Sequence, residues 1–170
     1  MEKVLIVIDM QNDFINGSLG SREAEAIVPA VVKKIKEWEE EVVVTMDTHT
    51  TDYMKTLEGH YLPISHCIEG TEGWEINEEV LSALPTNYMS FEKPTFGSTE
   101  LARWLVNTKE FHIIGLCTDI CVVSNALLLR AYNPNAKIIC DASCCAGTTV
   151  EKHKAALEVM KSCQIEVINA

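Results

Sequence analysis

Asp9, Lys93 and Cys121 bring a carboxylate, an ammonium and a thiol to positions just after short apolar runs of a 170-residue sequence. Together they could form a nucleophile with its proton acceptor. A thiol attacks well only as thiolate, and a helix N-terminus beside a cation favours that form. "HIIGLCTDICVVSNALLLRA" places Cys117 and Cys121 where an apolar run becomes a helix. Cys121 then sits in the first turn, whose free backbone N–H groups could hold a developing oxyanion. Asp9 could accept the thiol proton and return it to a leaving amine, while Lys93 keeps both groups ionised. Histidine, the usual base for cysteine, is poorly placed, since His112 falls early in a strand pattern and His153 in a late helix. Taken singly, each residue also has an ordinary reading: a turn-capping Asp9, a solvated loop Lys93, a core-filling Cys121. Their common placement at strand ends is what points to chemistry.

A second group lies in "DTHTTDYMKTLEGHYLPISHCIEGTEG". Asp47 and His49 are two apart at a strand end, so their side chains can point the same way. With His66 they make a two-histidine, one-carboxylate set suited to zinc, manganese or iron with open positions. Solvated loop histidines are the alternative. The seven cysteines lack the matched C-x₂-C pairs of a zinc ribbon and read as free thiols of a reducing compartment.

The elements that must position these groups are legible as alternation. "KVLIVID", "EVVVTMD", the weaker "YMSFEK", "EFHIIGL", "AKIICDA" and "CQIEVINA" read as strands. Ile27, Val28, Val31, Val32, Ile35 and Trp38 form a helical stripe, with a start expected near Pro29. Further helices are expected over Thr99 to Asn107, Thr118 to Ala131 and Val150 to Ser162. Strands separated by helices imply βαβ units, a mostly parallel sheet and helices on both faces. The expectation is a single-domain, three-layer α/β/α fold over 1–170, Rossmann-like, with ligands beyond the carboxyl ends of the strands.

The bulk numbers restrict the function. A net charge of −11 argues against binding nucleic acid or an anionic membrane. No apolar run approaches a membrane span, and the N-terminus reads as a buried strand rather than a signal peptide. A cytoplasmic protein is expected.

"VLIVIDMQNDF", "EKPTFGST" and "GLCTDICVVSNALLLRA" resemble, in order and over nearly the whole chain, the three signature segments of the isochorismatase-like cysteine hydrolases. Nicotinamidases (pyrazinamidases) are their best-known members. The resemblance implies an Asp–Lys–Cys triad on Asp9, Lys93 and Cys121, with the N–H groups of Cys117 and Cys121 as oxyanion donors. It also implies a non-prolyl cis peptide just before Cys117. "D-x-H" followed by "HC-x-x-GT-x-G" resembles the family's metal segment, which matches Asp47, His49 and His66. A further ligand is implied between the two histidines, Glu58 or His60, with Glu58 favoured. The metal is one divalent ion, zinc foremost, with manganese or iron as alternatives.

Phe14 matches the family's ring-stacking phenylalanine. The usual second aromatic is missing from "LPISH", which leaves only Tyr61 nearby. The expected activity is hydrolysis of a small amide to acid and ammonia through a Cys121 thioester, by a homo-oligomer. Other readings are a related hydrolase for carbamoyl or ureido substrates, an isochorismatase proper, a non-catalytic binding domain of this fold, or a redox-sensing thiol protein.

Overall fold

A computed structural model describes residues 1–170 as one six-stranded sheet between two helical layers. Strand β1 (Lys3–Ile8) is followed by the short α1 (Asn12–Ile15) and the long α2 (Arg22–Lys36). Next come β2 (Glu41–Asp47), α3 (Leu57–Tyr61), α4 (Glu78–Ala83) and β3 (Met89–Lys93). The second half runs α5 (Thr99–Trp104), β4 (Glu110–Leu116), α6 (Val123–Tyr132), β5 (Lys137–Ala146), α7 (Val150–Ser162) and β6 (Glu166–Ile168). The strand order is β3-β2-β1-β4-β5-β6 and every pairing is parallel. Chain direction across the sheet therefore reverses between β1 and β4, the place where such sheets open a crevice for ligands.

Period-two alternation makes the two cores. On β1, Val4, Ile6 and Ile8 enter one cluster, with Leu101, Leu105, Val122 and Leu129. Leu5 and Val7 enter the other, with Ile27, Val28, Val31 and Ile35 of α2. Val4–Ile8 of β1 are thus buried whichever way they point, which is why that run is continuously apolar.

Several boundaries differ from the sequence reading. Helix α2 begins at Arg22, well before Pro29, because the Ser21 hydroxyl accepts the Ala24 N–H at 3.0 Å and caps the first turn. Pro29 lies inside the helix on its exposed side, where water can satisfy the carbonyl left without a partner. The helix expected over Thr99 to Asn107 stops at Trp104. The one expected from Thr118 starts as a π-helical turn, Thr118–Val122, before α6. Strand β5 runs on through "CDASCC" to Ala146, with its register against β4 shifting between Ile113 and Gly115.

Gly115 has a φ of +121°, and a Cβ there would meet the Ile8 carbonyl oxygen at 2.1 Å. Only glycine lets β4 pass β1 this closely, just before Cys117. No helix is long and apolar enough to cross a membrane.

Candidate active site and metal centre

Four adjacent strands deliver the expected groups to one edge. Asp9 follows β1 with φ 46°, Asp47 and Lys93 end β2 and β3, and Cys121 lies in the π-turn after β4. The Lys93 ammonium, 1 % exposed, is the hub. It lies 2.6 Å from Asp9 Oδ2 and 3.5 Å from Asp47 Oδ1, and it donates to Cys121 Sγ at 3.4 Å and to the Thr95 carbonyl at 3.2 Å. Asp9 Oδ1 accepts the Thr45 hydroxyl at 2.6 Å, while its other oxygen has no conventional hydrogen bond. That oxygen is held in the ion pair with the Lys93 ammonium.

The electrostatics correct one expectation. Burial, together with the negative charge of Asp9, pushes the Cys121 thiol well above the ordinary cysteine range rather than below it. Burial also raises Asp9, against the pull of Lys93. Lys93 is raised because Asp9, Cys121 and Asp47 favour its charge over the burial that opposes it. Burial thus favours the neutral thiol beside the Lys93 cation.

The peptide bond between Leu116 and Cys117 is cis, as the resemblance implies. In the turn that follows, the Cys117 carbonyl accepts from the N–H groups of Ile120 and Val122, at 3.0 and 3.1 Å. Asn125, almost fully buried, donates to the Cys121 carbonyl at 2.8 Å and accepts the Ser98 N–H at 2.9 Å.

Beside this triad, one ligand atom each from Asp47, His49, Glu58 and His66 lie within 4.8 Å of one another. Asp47 Oδ2 is 3.0 Å from His49 Nε2 and 3.3 Å from His66 Nε2, and Glu58 Oε1 is 3.7 and 3.6 Å from the same nitrogens. His66 Nδ1 donates to the Ile64 carbonyl at 2.8 Å, which turns Nε2 toward the carboxylates. His49 is placed by backbone bonds, its N–H to the Cys67 carbonyl and its carbonyl to the Glu69 N–H, both 2.9 Å.

Burial raises Glu58 and so does Asp47, while burial of Asp47 is outweighed by His49, His66 and Lys93, which hold it low. Burial opposes charge on His66, but the hydrogen bond to Asp47 raises it. Two carboxylates facing each other with two imidazole nitrogens between them suit a divalent ion, given metal–ligand bonds of about 2.0–2.2 Å and small side-chain adjustment. The set fits. His60 is excluded from it, being exposed with its ring against Tyr61.

Both groups open into a cavity of about 910 Å³ that is also lined by Phe14, Leu57, Leu62, Phe96 and Cys117. The Phe14 ring lies 5.6 Å from that of His66. Tyr61 lines the rim and is 81 % exposed. Sequence reasoning missed the residues that hold the site together. Gln11 donates to the carbonyl of Asp47 at 2.9 Å and accepts its N–H at 2.8 Å, fixing the ligand's backbone. Of Gln11, Thr45 and Asn125, only Thr45 stands as a single polar residue between apolar neighbours, and that isolation was the available signal.

The family model described as "Isochorismatase domain" matches residues 3–170. An isochorismatase family protein of Bacillus subtilis, itself uncharacterized, is 32% identical over 173 residues, spanning 92% of this chain and 93% of its own. The crystal structure of nicotinamidase/pyrazinamidase PncA from Bacillus subtilis has a TM-score of 0.83 at 30% identity, over 98% of this chain and 99% of that one. The pyrazinamidase of Pyrococcus horikoshii, solved in complex with zinc, has a TM-score of 0.83 at 28% identity over 100% of both chains.

Proposed function

Because this chain belongs to the isochorismatase family, we propose that it is a nicotinamidase-like amidohydrolase, with Asp9, Lys93 and Cys121 as its catalytic residues. The observation that carries the reading is a single buried ammonium, Lys93, within 3.5 Å of Asp9, Asp47 and Cys121 at once. It joins Cys121 and Asp47, which line the cavity, to the fully buried carboxylate of Asp9, an arrangement with no structural need on this scale.

The substrate carbonyl lies over Cys121 Sγ, its oxygen toward the N–H groups of Cys117 and Cys121. Asp9 takes the thiol proton as Sγ bonds to the carbonyl carbon, and Lys93 holds the resulting charges in place. The two N–H groups stabilise the oxyanion of the tetrahedral intermediate. Asp9 then gives its proton to the nitrogen, the C–N bond breaks, and ammonia leaves a thioester on Cys121. Water, deprotonated by Asp9, attacks the thioester carbon, and the thiol departs with its proton restored as the acid is released. A divalent ion held by Asp47, His49, Glu58 and His66, zinc or else manganese or iron, would supply a Lewis-acid point that holds and polarises a substrate nitrogen beside Cys121.

Seven free thiols support a reducing, cytoplasmic setting. Exposed Leu57 and Tyr61 on the cavity lining support a homo-oligomer. The test is an ammonia-release assay on nicotinamide with zinc-loaded protein. One ammonia per nicotinate is expected, lost on alkylation of one thiol. No release from nicotinamide or any other small aromatic amide would remove the reading.

Phe14 is 7 % exposed and faces the cavity, so it covers one face of a flat ring. Stacking is much the same in ground and transition states. Phe14→Ala should therefore raise KM by roughly 3- to 10-fold with a smaller change in kcat, measured on nicotinamide. A loss confined to kcat would mean that Phe14 does not hold the ring.

A further inference from the structure

The turn that carries the nucleophile is tied sideways to α7, a helix that supplies no catalytic group. Thr118 follows Cys117 directly, is fully buried, and its hydroxyl lies 2.8 Å from His153 Nδ1. The next residue, Asp119, accepts both the N–H and the hydroxyl of Thr148, at 2.8 and 2.7 Å, from the segment just ahead of the same helix. The backbone between these ties packs closely: a Cβ on Gly147 would meet His153 Cβ at 2.8 Å and Asp119 Oδ1 at 2.9 Å. Three hydrogen bonds thus fasten the stretch between Cys117 and Cys121 to α7 and the segment ahead of it.

We propose that His153 is a positioning residue, which through the Thr118 hydroxyl fixes the Thr118–Val122 turn so that the N–H groups of Cys117 and Cys121 point at the oxyanion. This rests on the proposed hydrolase mechanism and adds to it a residue remote from the triad.

The chemistry of the bond favours such a role. Thr118 has no other hydrogen-bond partner for its side chain. Burial holds His153 below its ordinary range, although Asp119 pulls the other way, and so favours the neutral ring. A neutral ring with its proton on Nε2 presents a lone pair on Nδ1, and the Thr118 hydroxyl donates to it. His153 lies in the first turn of α7, where the helix dipole also disfavours a charged imidazole. A buried threonine deprived of this acceptor would rotate or shift, and it lies between Cys117 and Cys121, whose N–H groups face the oxyanion. Removing one whole oxyanion donor costs roughly 10²–10³-fold in kcat. A donor merely displaced should cost less, roughly 10-fold.

The test uses His153→Leu, Thr118→Val and the double variant, with nicotinamide as substrate and pyridine-3-carbaldehyde as a probe. The aldehyde carbon bonds to Cys121 Sγ, and its oxygen becomes the tetrahedral oxygen that the turn must hold. Each single variant should lower kcat roughly 10-fold with KM within about 2-fold, and aldehyde affinity should fall in step with kcat/KM. The double variant should be no worse than either single one, since both remove the same bond. His153→Gln, whose carbonyl can still accept from Thr118, should recover part of the loss. Aldehyde affinity equal in wild type and His153→Leu would overturn the proposal, as would additive losses in the double variant. A wild type that binds the aldehyde at Cys121 but hydrolyses no amide would instead overturn the proposed function. The aldehyde comparison would still decide the role of His153.

Discussion

Cys121→Ala should lower amide turnover by roughly 10⁴-fold or more while the protein stays folded. The nucleophile is the one group in the mechanism with no substitute: Asp9 and Lys93 move or stabilise charge, but neither can form the thioester. Cys121 is 5 % exposed and packs at the edge of one core cluster, so loss of its sulfur removes few contacts and costs about 1 kcal/mol. The outcome is therefore readable as chemistry.

Asp9→Asn is a less clean test, because it strands a buried ammonium now 2.6 Å from its carboxylate partner. Removing one partner of a buried pair costs about 3–5 kcal/mol, so activity and stability would fall together. The measurement is ammonia release by Cys121→Ala alongside its urea midpoint. Substantial turnover at an unchanged midpoint would mean that another residue attacks the carbonyl.

The residues that made the fold readable were those whose burial is complete. β1, β2 and β4 are covered on both faces, so their runs are almost wholly apolar, broken only by Thr45 and His112, and their ends, where the proposed chemistry lies, stand out. Where polar side chains interrupt the pattern the reading fell short. Ser143 hides the continuation of β5 past Ala142, because its hydroxyl is satisfied by Asp141 in a hydrogen bond that no periodicity reveals. Pro29 looked like a helix start because its exposure, which lets the helix pass through it, is a tertiary fact.

Within the site, residue types and order were enough to expect Asp9, Lys93 and Cys121 together, where the structure brings them, but not to place their protons. A list of neighbours suggests that Lys93 lowers the thiol, while burial, which the sequence does not state, reverses the sign. The choice between Glu58 and His60 is likewise a matter of three dimensions. Both lie on the one-turn helix α3, and residues two apart on a helix face opposite ways, so only one can meet His49 and His66.

His66→Ala should strip the metal and most of the activity while leaving Cys121 reactive toward a small alkylating agent. The argument rests on where each charge is anchored. His66 is 2 % exposed and contributes one imidazole nitrogen to the four-ligand set, turned inward by its bond to Ile64. Without it, three ligands remain, and affinity for a divalent ion should fall by roughly 10²-fold or more. Asp47→Asn would be ambiguous, because Asp47 also lies 3.5 Å from Lys93 and its loss would disturb the triad directly. His66 has no such contact with Lys93, Asp9 or Cys121 among its polar partners. Proton transfer from Cys121 to Asp9 should therefore proceed at about the wild-type rate in His66→Ala, while substrate binding fails. Metal analysis of both proteins after dialysis, paired with the alkylation rate of Cys121, separates these effects. Alkylation that slows as much as turnover would show that the two clusters act as one unit joined through Asp47. Wild-type protein that carries no metal and ignores chelators would mean that the four ligands serve the fold rather than the substrate.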